Sequence, residues 1–75
     1  MKDLVEYIAK SIVTSPDEVK VTEEEEDGRL VLLLDVAPDD KGKIIGRQGR
    51  VAQSIRALLR VAAVKRGTRA ILEIV

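Results

Sequence analysis

The residue types and spacing best suited to chemistry lie in one stretch, Ile44-Ile45-Gly46-Arg47-Gln48-Gly49-Arg50. Two glycines three positions apart flank two polar residues, just ahead of a long helix-forming run. Glycine permits positive φ and lacks the Cβ that would hold a ligand's backbone away. The N-terminus of the following helix presents free N–H groups and a partial positive charge. Together these features suit a phosphate group. Arg47 and Arg50 add cations that stay charged, and Gln48 adds a neutral donor. Rival phosphate loops fail on spacing. No glycine is followed by Lys and then Ser or Thr, as a Walker A loop requires, and a G-x-G-x-x-G fingerprint would need glycine where Ile44 stands. A lone G-x-x-G also occurs in ligand-free turns, so its setting matters as much as its spelling.

Other chemistries find little support. The chain has no His and no Cys, which excludes disulfides and the usual zinc ligand sets. Ser11, Ser15 and Ser54 have no evident base, so an enzyme is a poor reading. Asp39-Asp40 offers a hard cation two carboxylates, but capping of a helix after Pro38 explains the pair more simply. No metal or cofactor is expected.

Charge is segregated along the chain although the formal net charge is zero. Residues 1–40 carry four basic and twelve acidic side chains, residues 41–75 nine basic and one acidic, Glu73. No acid occurs from Lys41 to Arg69. Such asymmetry suggests a nucleic-acid face in the second half. Seventy-five residues make one domain, 1–75, whose thin core buries only about 60% of the unfolded surface. No apolar run approaches the roughly 18 residues needed to span a bilayer. The opening Met1-Lys2-Asp3-Leu4 lacks the layout of a signal peptide, and the expectation is a cytoplasmic protein.

The elements that must position the glycine turn follow from periodicity. Asp3 is placed to cap a first helix with apolar positions Leu4, Val5, Ile8, Ile12 and Val13, which Ser15-Pro16-Asp17 ends. Val19 and Val21 alternate with polar neighbours as on a half-buried strand. Glu23 to Asp27, with Gly28, is expected to be a charged turn. A second strand runs from Arg29 to Ala37 with Leu30, Leu32, Leu34 and Val36 on one face, and the two strands make a hairpin. A very short helix covers Lys41 to Ile45. A long one covers Arg50 to Lys65, with Val51, Ile55, Leu58, Leu59 and Ala62 as its core stripe, and Gly67 closes it. A last strand, Arg69 to Val75, puts Ala70, Leu72 and Ile74 on one face.

With these elements in place, Ile45-Gly46-Arg47-Gln48-Gly49 resembles the I-G-x-x-G motif of the KH domains. The element order resembles the bacterial type II arrangement, an α+β fold of order α-β-β-α-α-β. That fold implies a three-stranded mixed sheet with the helices packed on one face. The chain is most similar to the small stand-alone bacterial KH proteins of the KhpA family. The similarity is carried by Leu4-Val5-Glu6-Tyr7-Ile8-Ala9-Lys10, Ser15-Pro16-Asp17-Glu18-Val19 and Ile45-Gly46-Arg47-Gln48-Gly49-Arg50.

The resemblance implies binding of single-stranded RNA as a post-transcriptional regulator or RNA chaperone. The glycine turn would clamp the backbone of about four nucleotides beside an apolar groove. The implied contacts are Lys43, Ile44, Ile45, Gly46, Arg47, Gln48, Gly49 and Arg50. One groove wall would include Ile44, Ile45 and Val51; the other would be the second strand, roughly Leu32 to Val36, with the acidic loop at its rim. Acid beside a phosphate path is in tension with tight binding. Tyr7 is the only aromatic residue and is expected to be packed or half-buried. Modules that stack bases on exposed aromatics are therefore disfavoured, whereas an aliphatic KH groove tolerates this composition.

A second surface lies on the long helix, where Ala57, Val61 and Val64 form a row of small apolar residues opposite the core stripe, and Arg56 and Arg60 stand one turn apart. The row suggests a homodimer, or a heterodimer with another KH-domain RNA-binding protein. The alternative function is thus a protein-interaction module acting mainly through such pairing.

Overall fold

The apolar run from Leu30 to Leu34 makes the centre of the fold. In the computed structural model, which describes all of residues 1–75, this strand, β2 (Arg29–Asp35), lies between β1 (Lys20–Glu26) and β3 (Ala70–Ile74). β1 and β2 are antiparallel, with Lys20 opposite Asp35 and Glu26 opposite Arg29. β2 and β3 are parallel, with Leu30 opposite Ala70 and Leu34 opposite Ile74. The helices are α1 (Lys2–Ile12), α2 (Lys41–Ile45) and α3 (Arg50–Lys65), joined by single 3-10 turns at Pro16–Glu18, Pro38–Asp40 and Arg47–Gly49. The order is the expected α-β-β-α-α-β around a mixed three-stranded sheet.

All three helices pack on one sheet face. The core joins Val5 and Ala9 of α1, Ile44 of α2, and Ile55 and Leu59 of α3 to Val21, Leu32, Leu34, Val36 and Leu72 beneath them. On the other face, Val31 is buried between its register partners Glu24 and Ile71. That burial explains why β2 is apolar on both sides.

Four expectations need correction. Glu23 to Glu26 belong to β1, and the turn is only Asp27-Gly28, with φ of 51° and 77°. Positive φ at both central residues is what a two-residue hairpin turn needs to match strand twist, so the Asp-Gly pair outweighs the low strand propensity of four glutamates. The buried stripe of α3 is Ala52, Ile55, Leu59 and Ala63, whereas Leu58 is 52% exposed. Alanines let the helix sit close to the sheet, which turns the larger Leu58 outward. Tyr7 is 74% exposed rather than packed. Asp3 lies inside the first turn of α1 and makes no side-chain cap.

Candidate nucleic-acid interface

The α2–α3 turn is built by backbone geometry that its glycines make accessible. Gly46 N–H donates to the Gly42 carbonyl at 2.8 Å and ends α2. Gly46 then adopts φ 76°, ψ 173°, a region essentially confined to glycine. A Cβ at Gly46 would overlap the Val51 Cγ2 methyl and stand 2.8 Å from Val51 Cβ and 2.9 Å from Val51 N. Gly46 therefore permits both the bend and the close seating of α3.

Gln48 and Gly49 follow with φ of 58° and 74°. The Gly49 N–H returns to the Gly46 carbonyl at 3.1 Å, closing the turn. A Cβ at Gly49 would meet no protein atom within 4 Å, so this side of the turn is open for a ligand. The first turn of α3 has neither a side-chain cap nor an acidic residue. Beyond Arg50, whose N–H returns to the Arg47 carbonyl, the positive dipole end is left to whatever binds.

Most of the expected contact residues gather here. Lys43, Ile45, Arg47, Gln48 and Arg50 are exposed, and Gly46, Gly49 and Val51 are half-buried. Arg50 Nη2 donates to Gln48 Oε1 at 3.3 Å, which holds two of the polar side chains together. Ile44 is the correction in this set. It is fully buried in the core and has no surface to offer RNA. On a five-residue helix, consecutive residues point in divergent directions, so Ile44 anchors the helix while Ile45 faces out.

Asp40 holds this assembly to the rest of the fold. Expected as a cap, it makes no capping bond to α2. Only 1% exposed, it accepts instead from Thr14 N–H at 3.0 Å, Thr14 Oγ1–H at 2.7 Å and Ser15 N–H at 3.1 Å. The Thr14 amide and hydroxyl, then the Ser15 amide and the Lys43 charge, hold its carboxyl below the ordinary aspartate value, outweighing the cost of desolvation. With three donors on Asp40 and Asp39 exposed, the pair does not converge on a cation.

The expected second wall also moves. β2 is the central strand, and Leu32 and Leu34 are sealed in the core. The strand beside α3 with a free edge is β3. Arg56 Nη2 reaches the Leu72 carbonyl there at 3.5 Å, a contact that sequence spacing alone does not signal. The acidic hairpin, expected at the rim of that second wall, lies away from the glycine turn. Its tip, Asp27-Gly28, shares a depression with Gly67, Thr68 and Arg69 at the opposite end of α3. A helix of 16 residues separates the two by about 24 Å. That distance relieves the electrostatic tension at the glycine turn.

On the outer face of α3, Val61 and Val64 are 58% and 71% exposed. Ala57 is exposed beside them, and the outturned Leu58 extends the row. No helix is long and apolar enough to cross a membrane.

Comparison with known proteins agrees with this geometry. The RNA-binding protein KhpA of Clostridium acetobutylicum is 51% identical over 75 residues, spanning 100% of both chains. Its namesake from Caldanaerobacter subterraneus is 48% identical, again over 100% of both. Among solved structures, Aquifex aeolicus Era bound to GDP·AlF4− and Era in complex with MgGDPNP and nucleotides 1506–1542 of 16S ribosomal RNA each superpose with a TM-score of 0.62. Each is 20% identical, over 97% of this chain and 28% of Era; at that identity the likeness concerns the fold alone. The family model described as KhpA/KhpB, KH domain matches residues 2–74. With the glycine turn, the sheet order and full-length identity all agreeing, the chain belongs to the KhpA/KhpB family of KH domains.

Proposed function

We propose that the chain binds single-stranded RNA, with the Gly46-Arg47-Gln48-Gly49 turn clamping the sugar-phosphate backbone. The observation that carries this reading is the open side of Gly49 beside the uncapped, acid-free first turn of α3. Arg47 and Arg50 lie exposed around it. A phosphate seated there meets N–H donors, a positive dipole end and two guanidinium groups, with Lys43 close behind. Exposed Ile45 and half-buried Val51 supply the apolar surface next to it, and the free edge of β3 replaces β2 as the facing wall. The printed names of the full-length relatives, RNA-binding protein KhpA, support the same choice of ligand.

One domain holding about four nucleotides binds weakly, with Kd on the order of micromolar. Neutralising roughly three phosphates gives a log–log salt slope near −2. Pairing with a second copy or another KH protein raises the affinity through effective concentration, consistent with a regulator or RNA chaperone that works as a dimer.

The decisive experiment replaces Arg47 and Gln48 with Asp and measures RNA binding by fluorescence anisotropy alongside thermal melting. Binding is lost while melting barely changes. RNA binding that persists in this variant rejects the clamp. The exposed row of Ala57, Leu58, Val61 and Val64 favours a second reading, a protein-interaction module. Cellular function retained after RNA binding is abolished selects that reading.

A further inference from the structure

The far end of α3 carries a second cationic site that the clamp does not use. A groove of about 420 Å³ runs between the C-terminal half of α3 and the start of β3, lined by Arg29, Arg60, Thr68 and Arg69 with Val64 and Ile71 among its apolar residues. Its volume falls within the range of ordinary ligand sites, about 300–1,000 Å³. The fold brings the three arginines to one groove. Parallel pairing sets Leu30 beside Ala70, and Leu30 N–H donates to the Arg69 carbonyl at 2.8 Å, so Arg29 and Arg69 start adjacent strands side by side. Arg60 lines the same groove from α3.

None of the three has an internal partner. The protein contains one ion pair, Lys10–Glu6, and the two arginines that make side-chain hydrogen bonds are Arg50 and Arg56. Three arginines lining one groove without an ion-pair partner favour an anionic occupant. The carbonyls at the end of α3 would oppose an anion, but Ala63 and Val64 carbonyls are already occupied by the N–H groups of Arg66, Gly67 and Thr68 at 2.9–3.0 Å. Asp27 shares the neighbouring depression with Arg29 and Arg69 without pairing to either.

We propose that this groove is a second phosphate subsite, holding the RNA strand beyond the segment clamped at Gly46–Gly49. The inference rests on the clamp reading. Gln53, Arg56 and Arg60 recur at three- and four-residue spacing along one edge of α3, an acid-free track between the two sites. From Gly49 to Ala63 the helix rises about 21 Å, which about six nucleotides cover at a stacked spacing near 3.4 Å. Added to about four clamped nucleotides, an RNA of about ten reaches both sites.

The test compares oligouridylates of about 4 and about 12 nucleotides by fluorescence anisotropy over a salt series. The parent binds the longer RNA more tightly and with a steeper salt slope. The R60Q/R69Q variant keeps its affinity for the tetranucleotide. For the longer RNA its slope is shallower by about 1.4, two contacts at about 0.7 each, so raising salt from about 50 to 200 mM weakens it about sevenfold less than the parent. R60K/R69K restores the slope. K2Q/K20Q, which removes the same charge elsewhere, leaves it unchanged, and D27N tightens the longer RNA at low salt. A slope and length increment that survive R60Q/R69Q overturn the subsite while leaving the clamp intact. Tetranucleotide binding that survives R47D/Q48D overturns the clamp instead.

Discussion

Gly46 and Gly49 look equivalent in the motif, yet substitution with alanine should separate them into a folding residue and a binding residue. At Gly49, alanine must hold φ 74° with no steric neighbour within 4 Å, a left-handed conformation that costs about 1–2 kcal/mol. At Gly46, alanine must hold φ 76°, ψ 173°, which costs about 1–3 kcal/mol. It must also displace Val51, whose Cβ and backbone N lie 2.8 and 2.9 Å from the new methyl. Overpacking of that kind adds about 1–3 kcal/mol. The sum, about 4 kcal/mol, is a large part of the roughly 4–11 kcal/mol that stabilises a domain of this size.

Urea unfolding followed by circular dichroism measures the difference directly. Gly46→Ala should lower the midpoint to near the edge of folding, and Gly49→Ala should lower it modestly. In a Val51→Ala background the Gly46→Ala cost should shrink by about 1 kcal/mol, a coupling expected for groups in contact. The relief is partial because Val51 N cannot be removed. RNA binding should show the reverse ranking among folded protein, because the Gly49 methyl projects into the open space where the proposed clamp would seat RNA. If Gly46→Ala and Gly49→Ala destabilise equally, or if Val51→Ala relieves nothing, the packing account of Gly46 is wrong.

Three further outcomes are expected. Asp40→Asn leaves the Ser15 N–H facing an amide donor and should lower Tm by roughly 10 °C near neutral pH. Because the folded carboxyl titrates below its unfolded value of 3.8, its contribution is complete above about pH 4 and fades as pH falls through the folded value. The Tm gap between the parent and Asp40→Asn should therefore close in acid, and a constant gap rejects the hydrogen-bonded carboxylate as the cause. Leu59→Ala, deep in the core, should cost about 2–5 kcal/mol by urea unfolding, whereas Leu58→Ala should cost well under half as much. Val64→Asp should reduce association, read as mass by sedimentation, without lowering the melting point; unchanged mass or a monomeric parent removes the dimer.

Sequence periodicity located α2 and α3 because their boundaries are marked by Pro38, Gly46, Gly49 and Gly67, residues whose backbone preferences are strong. It failed where local signals were weak or competing. Four successive glutamates offer no alternation, and the decisive Asp-Gly pair was absorbed into an acidic turn. Ala52 and Ala63 carry little hydrophobic weight, yet they pack closest, so the larger Leu58 drew the stripe a step too far round the helix. Of the expected contact set, the exposure of Lys43, Ile45, Arg47, Gln48 and Arg50 was legible because a turn between two helices projects its polar residues outward. Ile44 was misassigned because facing cannot be resolved along five helical residues. The bonds from Thr14 and Ser15 to Asp40 span 26 and 25 positions, and the placing of Arg29, Arg60 and Arg69 along one groove depends on parallel pairing of β2 with β3. Neither leaves a local trace.

The distribution of charge takes on a different meaning once the fold is known. Along the chain it divides an acidic half from a basic one, but in space the acidic strand β1 is an outer strand and β2 separates it from β3 and α3. Two strand spacings are about 10 Å, slightly more than the Debye length of about 8 Å at physiological salt. The glutamates of β1 are thus largely screened from the α3–β3 side under those conditions and exert their field as salt is lowered. Acid on β1 can therefore exclude a polyanion from the sheet edge while leaving the α3 side free to bind it. Such exclusion orients the strand rather than weakening the clamp, because repulsion and attraction act at opposite edges of the same small domain.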